Sequence, residues 1–148
     1  MKIAIGNDHV GYTLKAAVLE VLKQRNIEVI DVGSYNDEKT DYPIYGEKVA
    51  NLVANHEVDL GIIMCGTGVG ISISANKVNG IRAVVCSEPY TAKLSRMHNN
   101  SNILAMGSRV IGTEMAKMIV DEWLDATYEG GRHDKRIALI KAIEEKQN

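Results

Sequence analysis

Asp59-Leu60-Gly61-Ile62-Ile63-Met64-Cys65-Gly66-Thr67-Gly68-Val69-Gly70 carries the decisive pattern of this chain. A short apolar run, Asp59 to Met64, has strand length, and the glycine cluster after it turns the backbone into a short helix running to about Val78. The same unit recurs outward in both directions. Upstream, Lys2 to Gly6 reads as a strand, and Leu14, Ala17, Val18, Val21 and Leu22 repeat at helical spacing in a helix ending near Asn26. Ile27 to Val32 is a second strand, followed by a polar loop to Pro43 and a helix carrying Tyr45, Val49, Leu52 and Val53. Downstream come a strand at Arg82 to Cys86, a helix at Pro89 to His98, a strand at Asn102 to Met106, and a helix marked by Met115, Ile119, Val120 and Trp123. After Tyr128-Glu129-Gly130-Gly131 a last helix has Ile137, Ile140 and Ile143 on one side, with Lys141, Glu144 and Glu145 largely outside. Strands alternating with amphipathic helices predict an α/β fold with a parallel sheet.

The 148 residues suit one domain spanning 1–148. With 45% hydrophobic and 24% charged residues, the composition is that of an ordinary globular protein. A formal net charge of −2 supplies no field that would draw nucleic acid or an anionic membrane, so neither partner is expected. Met1 to Gly6 turns polar too soon for a signal peptide and no apolar run is long enough to span a bilayer, which makes a cytoplasmic location the default. Cys65 and Cys86 lack the spacing of a zinc site and the density of a disulfide scaffold, so free thiols are expected.

In an open parallel sheet, ligands bind beyond the carboxyl ends of the strands. That rule selects Asn7-Asp8-His9 after the first strand and Cys65 to Gly70 after the third, on one rim. Glycines allow successive N–H groups to turn inward as an anion nest, and the following helix adds its positive end. On glycine count alone, a plain tight turn explains the loop equally well. A cysteine at its head alters the balance, because a helix amino terminus favours thiolate, and thiolate can accept a carbon-bound proton. Cys86 has no such nest and reads as a small buried hydrophobe. Asp8 could equally be a helix cap and His9 a loop residue, while His98-Asn99 could cap its helix. His56 and His133 read as surface residues without a role. Arg132 and Arg136, four apart, can project from one helix face toward a phosphate or simply into solvent, and Arg109 could add a third positive charge. No P-loop, G-x-G-x-x-G or metal-ligand cluster is present, so neither nucleotide cofactor nor metal is expected.

Taken together, Asn7-Asp8-His9, Asp41-Tyr42-Pro43, Cys65-Gly-Thr-Gly-Val-Gly-Ile71, Ala75-Asn76-Lys77, His98-Asn99, Gly107-x-Arg109-Val110 and Gly130-Gly-Arg-His133 resemble the type B ribose 5-phosphate isomerases. That family also includes allose 6-phosphate isomerases and the subunits of galactose 6-phosphate isomerase, and the resemblance covers essentially the whole chain. It implies a three-layer, Rossmann-like α/β/α fold around a five-stranded parallel sheet. It further implies a homodimer with shared active sites, the last helix at the interface, and tetramers among some members. Cys65 would be the base and His98 the acid of ring opening, with Asp8 and Thr67 in the same catalytic group. Asp8 and His9 would contact the sugar phosphate, Gly66, Thr67, Gly68, Val69 and Gly70 the reacting oxygens, and Asn99 would position substrate. Arg109, Arg132 and Arg136 would complete the phosphate end.

The implied reaction opens the furanose, removes the C2 proton with Cys65, holds a cis-enediolate on loop amides and reprotonates C1, without metal or redox cofactor. Val10 and Asn100-Ser101 depart from the usual family residues and could adjust pocket shape. The alternatives are an isomerase of six-carbon aldose phosphates and a non-catalytic domain that captures a phosphorylated metabolite.

Overall fold

A computed structural model describes all 148 residues. Five strands form one parallel sheet in the order β2-β1-β3-β5-β4. They are β1 (Lys2–Asn7), β2 (Glu28–Asp31), β3 (Leu60–Cys65), β4 (Ala83–Val85) and β5 (Ile103–Gly107). The helices are α1 (Tyr12–Gln24), α2 (Tyr42–Ala54), α3 (Val69–Asn76), α4 (Pro89–Asn99), α5 (Thr113–Asp125) and α6 (Arg132–Lys146). The order reverses between β1 and β3, which opens a crevice at the carboxyl ends of those two strands.

Alternation along the central strands builds two cores, because successive side chains leave opposite sheet faces. Ile3, Ile5, Ile62, Met64, Leu104 and Met106 join Leu14, Val18, Leu22, Ile119, Val120 and Trp123 on the α1 and α5 side. Ala4, Ile63, Cys65, Ile103 and Ala105 meet Val49, Val53, Ile71 and Ala75 of α2 and α3 on the other. The helical spacing in α1 is met in full: Leu14, Ala17, Val18, Val21 and Leu22 are all buried. Burying such aliphatic side chains is worth about 1.5–3 kcal/mol each. No helix is long and apolar enough to cross a membrane.

Several expectations shift. α3 stops at Asn76 rather than Val78, where the Asn76 amide clasps the β4 edge, donating to Ala83 O at 2.9 Å and accepting Ala83 N–H at 2.8 Å. Met115 opens α5 but is exposed, so Ala116, Ile119, Val120 and Trp123 form its buried stripe. Ser101 shapes no pocket. It is wholly buried beneath α4, where its hydroxyl accepts the Trp123 indole N–H at 2.9 Å and pairs with Ser95 Oγ at 2.8 Å.

Candidate active site

Cys65 ends β3 opposite Gly107 of β5 and is almost fully buried. The chain then turns through Gly68, whose φ of +81° favours glycine, and α3 starts at Val69. This turn brings the Gly68 N–H to 3.2 Å from Cys65 Sγ, a donor aimed at the sulfur. The loop is braced from β5: Ser108 N–H donates to Cys65 O and Arg109 N–H to Gly66 O, both at 2.9 Å. Gly107 permits that approach, since a Cβ there would lie 2.4 Å from the Thr67 carbonyl carbon. The amides of Gly66, Thr67 and Gly70 bond nothing within the chain, leaving free donors at the start of the helix.

Asp8 follows β1, with its N–H on Met64 O at 3.2 Å. Its Oδ1 accepts Val10 N–H at 3.0 Å and Gly11 N–H at 2.8 Å, so that oxygen closes the turn leading into α1, whose cap position is Gly11. Ser108 Oγ donates to Val10 O at 2.8 Å and ties the first rim loop to the last. Between these loops lies a cleft of about 360 Å³ walled by Asp8, Val10, Cys65, Gly66, Thr67, Val69, Gly70 and Arg109. Gly68 lies beneath that wall, buried against the Met106 backbone. Tyr42 completes the wall, its ring so close to Gly70 that a Cβ there would meet it at 2.6 Å. Sequence reasoning gave Tyr42 no role, although it stands in the Asp41-Tyr42-Pro43 motif. His9 is turned to the neighbouring loop, with Nδ1 3.1 Å from Thr40 O and 3.2 Å from Thr40 N.

The remaining expected residues gather elsewhere. His98 and Asn99 end α4, which runs antiparallel to the strands and delivers them to the amino-terminal rim of the sheet, roughly 20 Å from the Cys65 end of a six-residue strand. Arg132 and Arg136 are exposed on the first turns of α6 beside them. The expected site residues therefore divide into two halves, one at each rim of the sheet.

The second half contains a feature the sequence concealed. His133 is buried, not superficial, and its ring stacks on His98 with centroids 4.4 Å apart and planes 15° from parallel. Glu129 reaches both rings, with Oε1 3.8 Å from His98 Nε2 and Oε2 3.5 Å from His133 Nε2. The potential ligand atoms of the three residues lie within 4.8 Å of one another, a cluster that spacing along the chain did not reveal. Face-to-face rings are unsuited to chelation, because an ion must lie in the plane of each imidazole it binds. Cys86 keeps its bland role: burial first, and the charge of Glu88 second, push its thiol up to about 11.

Over residues 3–140 the chain matches the family described as Ribose/Galactose Isomerase. It is 62% identical over 147 residues to ribose-5-phosphate isomerase B of Escherichia coli strain K12, covering 99% of each. Its fold is similar to that of ribose-5-phosphate isomerase B from Clostridium thermocellum, with a TM-score of 0.98, 54% identity and complete coverage of both chains. The enzyme from Mycoplasma genitalium, solved with bound ribulose-5-phosphate, matches with a TM-score of 0.92 and 43% identity over 97% of this chain and 96% of that one.

Proposed function

The chain belongs to the ribose/galactose isomerase family, and from that membership we infer that it interconverts ribose 5-phosphate and ribulose 5-phosphate. The observation that carries the assignment of chemistry to residues is the Gly68 N–H on Cys65 Sγ at the head of a glycine loop whose other amides are free. A thiolate at that position meets a donor and a helix amino terminus, and can take the C2 proton of an open-chain aldose. The free amides of Gly66, Thr67 and Gly70 stabilise the negative oxygens of the cis-enediolate, with the Thr67 hydroxyl beside them. Proton return to C1 completes the ketose. Asp8 and Arg109 wall the same cleft, and Arg109 offers a cation to the substrate's far end.

His98, Asn99, Arg132 and Arg136 come to that cleft from a second copy of the chain. Their grouping on the opposite rim supports this reading, since one chain cannot bring both halves to one sugar. In the paired assembly His98 serves as the acid of ring opening, Asn99 positions substrate, and the two arginines with His9 hold the phosphate. Nothing in the half-sites favours a six-carbon substrate.

The test is conversion of ribose 5-phosphate by the wild type and by Cys65→Ala, with allose 6-phosphate as the competing substrate. The wild type turns over the pentose with the higher kcat/KM. Cys65→Ala folds and binds substrate but loses at least a thousandfold in kcat. Full activity in that variant removes Cys65 as base, and binding without turnover in the wild type would leave a capture domain.

A further inference from the structure

His98 stands at the end of α4 with no hydrogen bond to its ring, a poor footing for a group that must meet one oxygen of the substrate. Two contacts fix it: the face of His133 and the carboxylate of Glu129. Both are placed with care by the fold. The Glu129 N–H donates to Met97 O at 3.0 Å, so the last turn of α4 itself anchors the residue that faces His98. His133 is the one buried residue of the fifteen in α6, and its Nε2 has no hydrogen-bond partner although it is shut away from solvent. An unpaired buried nitrogen carries a cost. A helix that otherwise lies exposed thus sinks a single imidazole onto the ring proposed to open the sugar.

We propose that His133 and Glu129 are positioning residues for His98, holding its imidazole in the orientation that ring opening requires. The proposal rests on the reading of His98 given above. The stack blocks rotation of the His98 ring out of place. Glu129, within ion-pair reach of both Nε2 atoms, holds the His98 ring by that edge.

The chemistry of the two substrates separates this role from a general structural one. Ribose 5-phosphate exists mainly as a furanose and must be opened. Ribulose 5-phosphate has its C5 oxygen esterified, cannot close a furanose through C2, and reaches the enediolate by loss of a C1 proton alone. Residues that serve ring opening matter for the first substrate and not for exchange of the second.

The experiment compares turnover of ribose 5-phosphate with exchange of solvent deuterium into C1 of ribulose 5-phosphate, for His98→Ala, His133→Ala, His133→Phe and Glu129→Gln. His133→Ala is expected to lose at least tenfold in kcat on the aldose with KM little changed, while C1 exchange stays within about twofold of wild type. His133→Phe, which restores a ring face, recovers most of that loss. Glu129→Gln, on a partly exposed side chain, shows a smaller loss of the same kind. Equal losses in both measurements for His133→Ala and Glu129→Gln, or no loss on the aldose in either, would overturn the proposal. If His98→Ala turns over ribose 5-phosphate normally, the His98 reading falls and the proposal with it. If His98→Ala loses the aldose reaction and the other variants do not, only the proposal fails.

Discussion

Cys65 and Cys86 lie at the same rim of the sheet, both buried, yet their surroundings give them opposite prospects. Cys65 receives an N–H at the head of the loop that leads into α3, whereas Cys86 is held as a thiol up to about 11 by its burial and by Glu88. The second value has a sign that can be tested. Between the reference value of 9.0 and 11 the unfolded thiol gives up its proton and the folded one keeps it, so stability is intact below pH 9 and drains away as pH rises through that window. Urea unfolding at pH 8 and pH 10.5 should show wild type losing about 2 kcal/mol more than Cys86→Ala between the two conditions. Equal losses in the two proteins would refute the burial argument. Chemistry of this kind is legible in sequence only where the local chain makes the environment. Cys65 could be singled out because its loop and helix follow it directly. His133 could not, because its burial is created by α6 returning to the end of α4, a contact between residues far apart in the chain.

Secondary structure was legible almost throughout, since most of the strands and helices carry an apolar run or a period in their own residues, and α3 is announced by the glycine turn before it. The ends were less so, and the reason is tertiary: the α3 boundary depends on Asn76 reaching the β4 edge, which no local pattern encodes. What the elements do to the loop between β3 and α3 is likewise a matter of close approach. Gly107→Ala drives a Cβ into the Thr67 backbone at 2.4 Å, and the loop must yield. We expect its kcat on ribose 5-phosphate to fall by about a hundredfold, in line with the effect of a displacement near 1 Å at reacting groups, while the melting transition stays cooperative. Wild-type kinetics in that variant would mean that the loop position is immaterial. On α6, Arg132→Ala and Arg136→Ala should each raise KM for ribose 5-phosphate by about tenfold with kcat nearly preserved, because phosphate binding serves ground and transition states alike. An unchanged KM in both would return them to the solvated helix face.

At the scale of the molecule, the separation of Cys65 from His98 makes a prediction that does not depend on any single rate. Cys65→Ala and His98→Ala are each nearly inactive alone. Mixed and allowed to exchange subunits, they should regain about a quarter of wild-type activity, since half the dimers are hybrid and each hybrid contains one intact site. No recovery after proven exchange would place the whole site within one chain. The proposed division was legible in the sequence only through its resemblance to a family, because helix and strand periods say nothing about which copy a side chain serves. The strand order has a consequence of another kind, in time rather than space. A ribosome completes β1, β2 and β3 early, so three of the five strands can assemble while the rest of the chain is still being made. Yet the carbonyls of Cys65 and Gly66 wait for Ser108 and Arg109, which emerge much later. A nascent chain arrested before β5 therefore owns its Cys65 sulfur without the brace that holds the loop, and carries an unguarded thiol.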